Sequence, residues 1–387
     1  MILESKRLRQ VTVVASFFAV IGAIMWLYFL GSSDGLPWGS FVTNFIYFLG
    51  VTQGALAIVV VLRVSSATWG PPFFRIASAI ALAFFPIALI MLFIIFIGEN
   101  SIFFWAKESH HPYFSSSFFF SRNLIAFLAF YALALVLFNT SMSNNFKSTH
   151  SLVHRSIMVG LFLLIVFSLH QTIVSWDFGM TLNHDWTSTV YGIYFMVGSL
   201  YAGTAGIVVI SSFVKRFFKV DFVPENLFVN FGHLLLALSV LWIYHWWSNF
   251  FPMWYGNLPE EVDALYLPIF SAYGATYGWM MALTAVVPFL SLLFMKVRKS
   301  VTALTTVSII ILIGVWLNRY LTVVPSLVKE ETSIYTPVFG FANLAITLGT
   351  LGGFLLLFFM ILKRYPRVLA SKESEPEDMF LSEPQGW

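Results

Sequence analysis

From Ser168 to Gly192 the chain reads SLHQTIVSWDFGMTLNHDWTSTVYG, which gathers His170, Gln171, Asp177, His184 and Asp185 in one short stretch. Imidazole and carboxylate are the groups that exchange protons with a bound molecule near neutral pH. Long apolar runs flank the stretch on both sides, in a chain with only 10% charged residues. Ionisable residues held against such runs are costly and point to function by default. Other polar residues interrupt apolar segments elsewhere: Asn44 and Gln53, Arg122 and Asn123, His233, His245 and Asn249, and Asn318 with Arg319.

The elements that must position these groups are membrane helices. Hydrophobic residues make up 59% of 387, and the mean hydropathy is +0.83. About ten segments reach the roughly 20 apolar residues that cross a bilayer. They fall near 11–30, 40–63, 76–97, 122–142, 154–174, 188–211, 228–250, 274–295, 301–321 and 338–361. Backbone polar groups in lipid must be satisfied within the segment, so an all-α polytopic membrane protein is expected. The first segment has a basic start, but it is long for a signal peptide and no small-residue cleavage site follows. It reads as a retained helix.

Lysine and arginine set the expected orientation. Of 21 basic residues, 17 lie at the N-terminus, the C-terminus or the connections after the second, fourth, sixth and eighth helices. Both termini are therefore expected in the cytoplasm. The formal charge of +3 then reports topology rather than nucleic-acid binding. The chain has no cysteine, which excludes thiolate-held iron–sulfur clusters and covalently attached c-type haem. Any electron path must run mostly through a partner.

A repeat is visible at an offset of 148 residues. WGSFVTNFIYFLGVTQGALAIVVV from Trp38 lies over WTSTVYGIYFMVGSLYAGTAGIVV from Trp186, matching Trp38 to Trp186, Ser40 to Ser188 and Gly50 to Gly198. Helices two to five and six to nine then form two parallel four-helix units. The expected organisation is a peripheral helix and outer loop (1–37), a first bundle (38–175), a second bundle (176–325), a peripheral helix (326–364) and a flexible cytoplasmic tail (365–387). The outer loops are acidic and aromatic. His111, Trp254, Glu260 and Glu261 are candidates for docking another subunit, against the simpler reading of solvated loops.

On this topology His170 and Asp177 face the outer side, with His245 at similar depth on helix seven and Arg122 and Arg319 as supporting charges. Such a group can bind and deprotonate a quinol (menaquinol or ubiquinol), whose hydroxyls need acceptors and whose oxidation releases two protons. Each residue has a plainer reading. Arg122 and Arg319 at helix ends snorkel to the interface, Asn44 and Gln53 bridge helices, and His233 either serves a proton path or merely packs. His150 and His154 have i,i+4 metal spacing without further ligands, so no metal site is expected. His154/His170 and His233/His245 differ in separation, which argues against paired haem ligation.

These residues resemble the NrfD/PsrC family of integral membrane subunits, and most of all the ActF-type subunit of bacterial alternative complex III. The resemblance runs over roughly residues 38–325. It is carried by Trp176-Asp177-Phe178 through Trp186-Thr187-Ser188-Thr189 with Gly192 and Tyr194, by the WYGNLPEE run from Trp254 to Glu261, and by His111-Pro112 leading to Phe118-Phe119-Phe120 and Arg122. The Trp69 to Arg75 connection adds weaker support. Ser78 stands where the family often carries an acidic residue in helix three, which puts a family-style proton path through that helix in doubt. The resemblance implies a cofactor-free subunit of a quinol:electron-acceptor oxidoreductase in a bacterial inner membrane. Its expected partners are lipid, a periplasmic iron–sulfur subunit, multihaem cytochromes and a paralogous membrane subunit, with no nucleic acid. The competing expectations are a stand-alone secondary transporter or proton channel, and a purely structural anchor.

Overall fold

A computed structural model of the chain describes residues 5–30, 35–67, 69–108, 112–142, 150–183, 186–258, 262, 266, 268–327 and 340–369. Ten long helices account for most of them: α1 (Ser5–Leu30), α2 (Gly35–Val64), α3 (Pro71–Ile97), α4 (Ser116–Met142), α5 (His150–Phe178), α6 (Tyr191–Phe218), α7 (Phe228–Gly256), α8 (Gly274–Leu293), α9 (Val301–Leu327) and α10 (Phe341–Arg364). Each carries a stretch long and apolar enough to cross a membrane, and the described residues contain no strand. The chain is a multi-pass membrane protein with a lipid-facing surface. Several helices run past their expected ends. α5 continues to Phe178, so Asp177 sits in its last turn rather than beyond it. α7 carries Pro252 within it and stops at Asn257, whose φ of 46° is left-handed; asparagine tolerates that conformation at a helix end.

The core forms around α2 and α6. The apolar window of α2 is 89% buried and that of α6 72%, against 11% for α1. The two central helices cross at Gly54 and Gly203, where a Cβ on either residue would enter the backbone of the other helix. Small residues at a crossing let membrane helices gain packing and carbonyl contacts that lipid cannot supply. Around this crossing α2 packs on α3, α5 and α9, and α6 packs on α7, α5 and α9. The first and last helices pair with each other at Gly22 and Gly349, and α10 also leans on α3 and α2.

α8 is irregular for a reason visible in its sequence. It widens to a π-helical segment over Ala282–Val286. Pro288 has no N–H for the Thr284 carbonyl four residues back, and its ring crowds that carbonyl. The hydroxyl of Tyr201 on α6 donates to the Thr284 carbonyl instead, at 3.3 Å.

Basic residues meet at one end of the bundle. Arg7 donates to the Phe217 carbonyl (2.6 Å), Arg75 to that of Ser141 (3.3 Å), Arg367 to that of Met142 (3.2 Å) and Arg63 to the Ser156 hydroxyl (3.0 Å). Cations on helix C-terminal carbonyls are favoured by the helix dipole. The polar residues singled out in the sequence lie mostly toward the opposite end.

Candidate functional site

Asp177 is fully buried and its oxygens are taken. Arg122 of α4 donates to Oδ2 from Nε (2.8 Å) and to Oδ1 from Nη2 (2.6 Å), and Asn123 Nδ2 donates to Oδ2 (2.5 Å). Tyr113, in the short Pro112–Phe114 turn before α4, adds a hydrogen bond from its hydroxyl. Burial, reinforced by the Asp177 carboxylate, pushes the Tyr113 phenol above its ordinary range despite the opposing Arg122 charge, so it stays a donor. The Arg122 guanidinium is boxed by the Tyr113 ring at 4.0 Å and the Phe118 ring at 5.0 Å, and its Nη1 donates to the Tyr113 carbonyl (2.6 Å). A bidentate, charge-assisted pair with every acceptor in use ties α4, α5 and the turn before α4 together. As described, this carboxylate has no spare oxygen with which to take a proton from a ligand, and Arg122 is a pairing charge rather than a snorkelling one.

His170, two turns earlier on α5, belongs to a different network. Its Nδ1 lies 3.1 Å from Gln53 Oε1, an acceptor that the tautomer carrying its proton on Nδ1 satisfies. Gln171 Nε2 donates to the same oxygen (3.0 Å), and Gln171 Oε1 accepts from the Ser199 hydroxyl of α6 (2.8 Å). Arg319 Nη2 reaches Ser199 Oγ at 3.4 Å and the Phe195 carbonyl at 2.8 Å, while its guanidinium lies 3.5 Å from the centre of the Phe195 ring. Beside it Asn318 Nδ2 donates to the Tyr194 hydroxyl (2.7 Å). The result is a polar chain through α2, α5, α6 and α9, enclosed by apolar side chains. Arg319 is only 2% exposed, and among the described residues no carboxylate pairs with it. A buried guanidinium met by the Phe195 carbonyl, the Ser199 hydroxyl, the Asn318 amide oxygen (3.5 Å) and a ring face, with no described carboxylate, is the least compensated charge in this network.

The chain ends at a cavity. Tyr194 and Asn318 line a space of about 110 Å³, together with Trp186, Tyr191, Asn249 and Tyr277. A second cavity of about 380 Å³ adjoins it, sharing Asn249 and Met253 and lined also by Trp176, Met180 and Ser188. The Ser188 hydroxyl donates to Asn249 Oδ1 at 2.6 Å where the two meet.

The structure thus brings Gln53, His170 and Arg319 into one network and Arg122 and Asp177 into another. It separates His245 from both. The Nδ1 of His245 lies 2.9 Å from its own helix's Leu241 carbonyl, its ring stands against Tyr244, and no described hydrogen bond or ring contact joins it to His170 or Asp177. His233 is exposed on the lateral surface of α7. Asn44 bridges helices: its Nδ2 donates to Ser40 O (2.8 Å) and Thr347 Oγ1 (3.0 Å), and its Oδ1 accepts from Trp316 Nε1 (3.2 Å). Ser78 is buried on α3 and donates to the Phe74 carbonyl of its own helix. Trp254 is exposed, and His154 is exposed at the start of α5. His111, His184, Asp185, Glu260 and Glu261 lie outside the described residues, as does the side chain of His150. No group of metal-binding side chains occurs among the described residues.

Sequence reasoning missed Tyr191, Ser199 and Tyr277, whose types are unremarkable in an aromatic-rich membrane chain. One signal was available. Asn318 and Arg319 stand 148 residues after His170 and Gln171, the offset that relates Trp38 to Trp186. No protein-family model matches the chain, and comparison with curated proteins gives no significant match.

Proposed function

We propose that this chain is a cofactor-free membrane subunit of a bacterial quinol:electron-acceptor oxidoreductase of the alternative complex III kind. The observation that carries the reading is the enclosed polar chain from His170 to Tyr194, which meets a cavity at the end of the bundle opposite the basic residues. With the basic end in the cytoplasm, that cavity faces outward, toward partners that hold iron–sulfur and haem groups. In this reading the chain supplies the quinone-facing framework and its partners carry the electrons. Exposed Trp254 lies on the outer surface where such a partner docks.

A parallel duplication supports the same architecture. Exchanging helices two to five with six to nine maps neighbour onto neighbour: α2 on α3 becomes α6 on α7, and α2 on α9 becomes α6 on α5. The same offset of 148 residues pairs His170 with Asn318 and Gln171 with Arg319.

Purification under mild detergent with an affinity tag tests the reading. Iron, haem and further subunits are expected in stoichiometric amounts. A chain that purifies alone, without metal, overturns it. Within the intact complex Arg319→Gln is expected to lower quinol turnover at least about tenfold, a loss of about 1.4 kcal/mol of transition-state stabilisation. A secondary transporter is the second reading, favoured because no carboxylate among the described residues pairs with Arg319, and a buried cation in a membrane bundle is a natural substrate-anion site. Uptake of an anion by liposomes holding the chain alone would favour that reading.

A further inference from the structure

α8 does not run straight into α9. Phe294 is extended (φ −80°, ψ 120°), as is Ser300 (φ −91°, ψ 111°), and Met295–Lys299 between them forms a short helix of its own at the basic end of the bundle. Its composition is divided. Phe294 and Met295 are exposed together with Leu290 and Leu293 at the end of α8, and Lys296, Arg298 and Lys299 follow directly. Apolar side chains beside lysine and arginine suit a segment at a membrane surface, with the former in hydrocarbon and the latter among headgroups. Lys296 and Lys299 are exposed and one turn apart, so they share a face.

Arg298 is set differently. Its stem crosses α7 at Gly232, where an added Cβ would lie 2.9 Å from Arg298 Cγ and 3.0 Å from its Cβ. That contact half-buries the side chain and fixes where its guanidinium stands. The described hydrogen bond is a long one, from Nη2 to the Leu293 carbonyl (3.4 Å), and Nε is buried with no partner. No carboxylate among the described residues pairs with it. Those described at this end of the bundle are Asp221, which Lys215 already holds, and exposed Glu225. A guanidinium has five N–H donors and keeps its charge, so Arg298 is an anchored cation with donors to spare. His233 is the next residue on α7, exposed little more than one turn from the start of that helix. An imidazole is costly at hydrocarbon depth and well placed at the level of phosphates. Arg216 joins from α6, donating to Thr302 Oγ1 (2.7 Å) at the start of α9.

We propose that the surface where the start of α7 meets Met295–Lys299 docks an anionic phospholipid. Its phosphate takes Arg298 and Lys299, with His233 at the rim, and its acyl chains lie over Phe294, Met295 and Leu290. Complementarity of charge and polarity together selects this occupant. Free phosphate answers the cations alone, and a neutral lipid answers the apolar face alone. A cation on a free stem follows any anionic surface, whereas one pinned against Gly232 presents its donors in one place. The site needs neither a quinone nor a partner subunit.

Native mass spectrometry of the delipidated full chain, titrated with dioctanoyl phosphatidylglycerol or dioctanoyl phosphatidylcholine, tests this. The two lipids share their acyl chains and differ in headgroup charge. The first phosphatidylglycerol is expected to bind about tenfold more tightly than the first phosphatidylcholine. Arg298→Gln is expected to weaken phosphatidylglycerol about fivefold and leave phosphatidylcholine unchanged. The Lys296→Gln/Lys299→Gln pair, which alters exposed side chains and leaves folding alone, is expected to do the same. Arg9→Gln removes the same charge from an exposed position on α1 and is expected to change nothing. Equal affinity for the two lipids overturns the proposal. An equal loss in Arg9→Gln also overturns it, because the charge of the whole end is then at work. Displacement of phosphatidylglycerol by inorganic phosphate at equal concentration assigns the cations to a free anion instead. Phosphatidylglycerol that binds only after Glu373, Glu375 and Glu377 are changed to glutamine makes the acidic tail the occupant, with the same consequence.

Discussion

Arg122 and Arg319 solve the same problem in opposite ways. Arg122 meets Asp177 through two parallel hydrogen bonds and is boxed by aromatic rings, so charge, donors and acceptors balance. Arg319 meets the Phe195 carbonyl and ring, the Ser199 hydroxyl and the Asn318 amide oxygen, and its charge is answered by no described carboxylate. Both residues look alike in the sequence, as single arginines at the ends of apolar segments. The difference teaches that a costly residue in a membrane is not by itself a site. A saturated pair is a fastener, whereas an unsaturated group beside a cavity is available to a ligand.

The largest effect that tests this contrast is on stability. Arg122→Met leaves a buried carboxylate uncompensated and is expected to cost about 3–5 kcal/mol, read as a large fall in the thermal unfolding temperature in detergent. Asp177→Asn is expected to cost less, because an amide oxygen still accepts from Arg122. Arg319→Met removes a charge without orphaning another. Its unfolding temperature is expected to hold or rise, since replacing buried ions by apolar groups of like volume is often neutral or stabilising. If Arg319→Met falls as far as Arg122→Met, the two arginines are both fasteners and the contrast fails.

The next effect is on the cavity. A Cβ on Gly198 would lie 3.0 Å from Arg319 Nη2 and 3.5 Å from Trp242 Nε1. Gly198→Ala therefore displaces the guanidinium by a few tenths of an ångström while leaving its charge in place. Stability is expected to hold, because the helix propensity of alanine, about 1 kcal/mol better than glycine, offsets the crowding. Quinol turnover in the intact complex is expected to fall several-fold. Unchanged turnover would mean that the position of Arg319 is irrelevant to the cavity, and that the polar chain and the cavity are merely adjacent.

The ten spans were legible because hydropathy over some 20 residues leaves few alternatives for a backbone in lipid. Their ends were less so, and that mattered. α5 was expected to stop near residue 174, yet it carries Asp177 in its last turn, where the carboxylate is directed at Arg122 rather than at outer water. The sequence could single out Asp177 and Arg122 separately, but periodicity says nothing about which of two helices a side chain will meet. His245 shows the same limit: its depth matches that of the cluster, while its orientation on α7 does not. Tyr191 was missed, and Trp186 was legible only as the start of a repeat, for a different reason. Their significance lies in lining the smaller cavity, a property that exists only once every neighbour is placed. An offset of 148 residues was a further signal that reached into the site, since it carries Gln171 onto Arg319.

The smallest expected effect is at Asn44, which resembles the cavity residues in type and the Asp177 pair in behaviour. Its amide is saturated, joining α2 to α9 through Trp316 and to α10 through Thr347. Asn44→Leu preserves most of the volume and removes two interhelical hydrogen bonds, each worth about 0.6 kcal/mol in a membrane. The Thr347 hydroxyl can turn to a carbonyl of its own helix, as Thr350 does with Ile346, so only Trp316 Nε1 is stranded. A loss of about 1 kcal/mol in unfolding is expected, with no change in quinol turnover of the intact complex. A variant that keeps its stability but loses turnover would place Asn44 with Arg319, and saturation would no longer separate fasteners from sites.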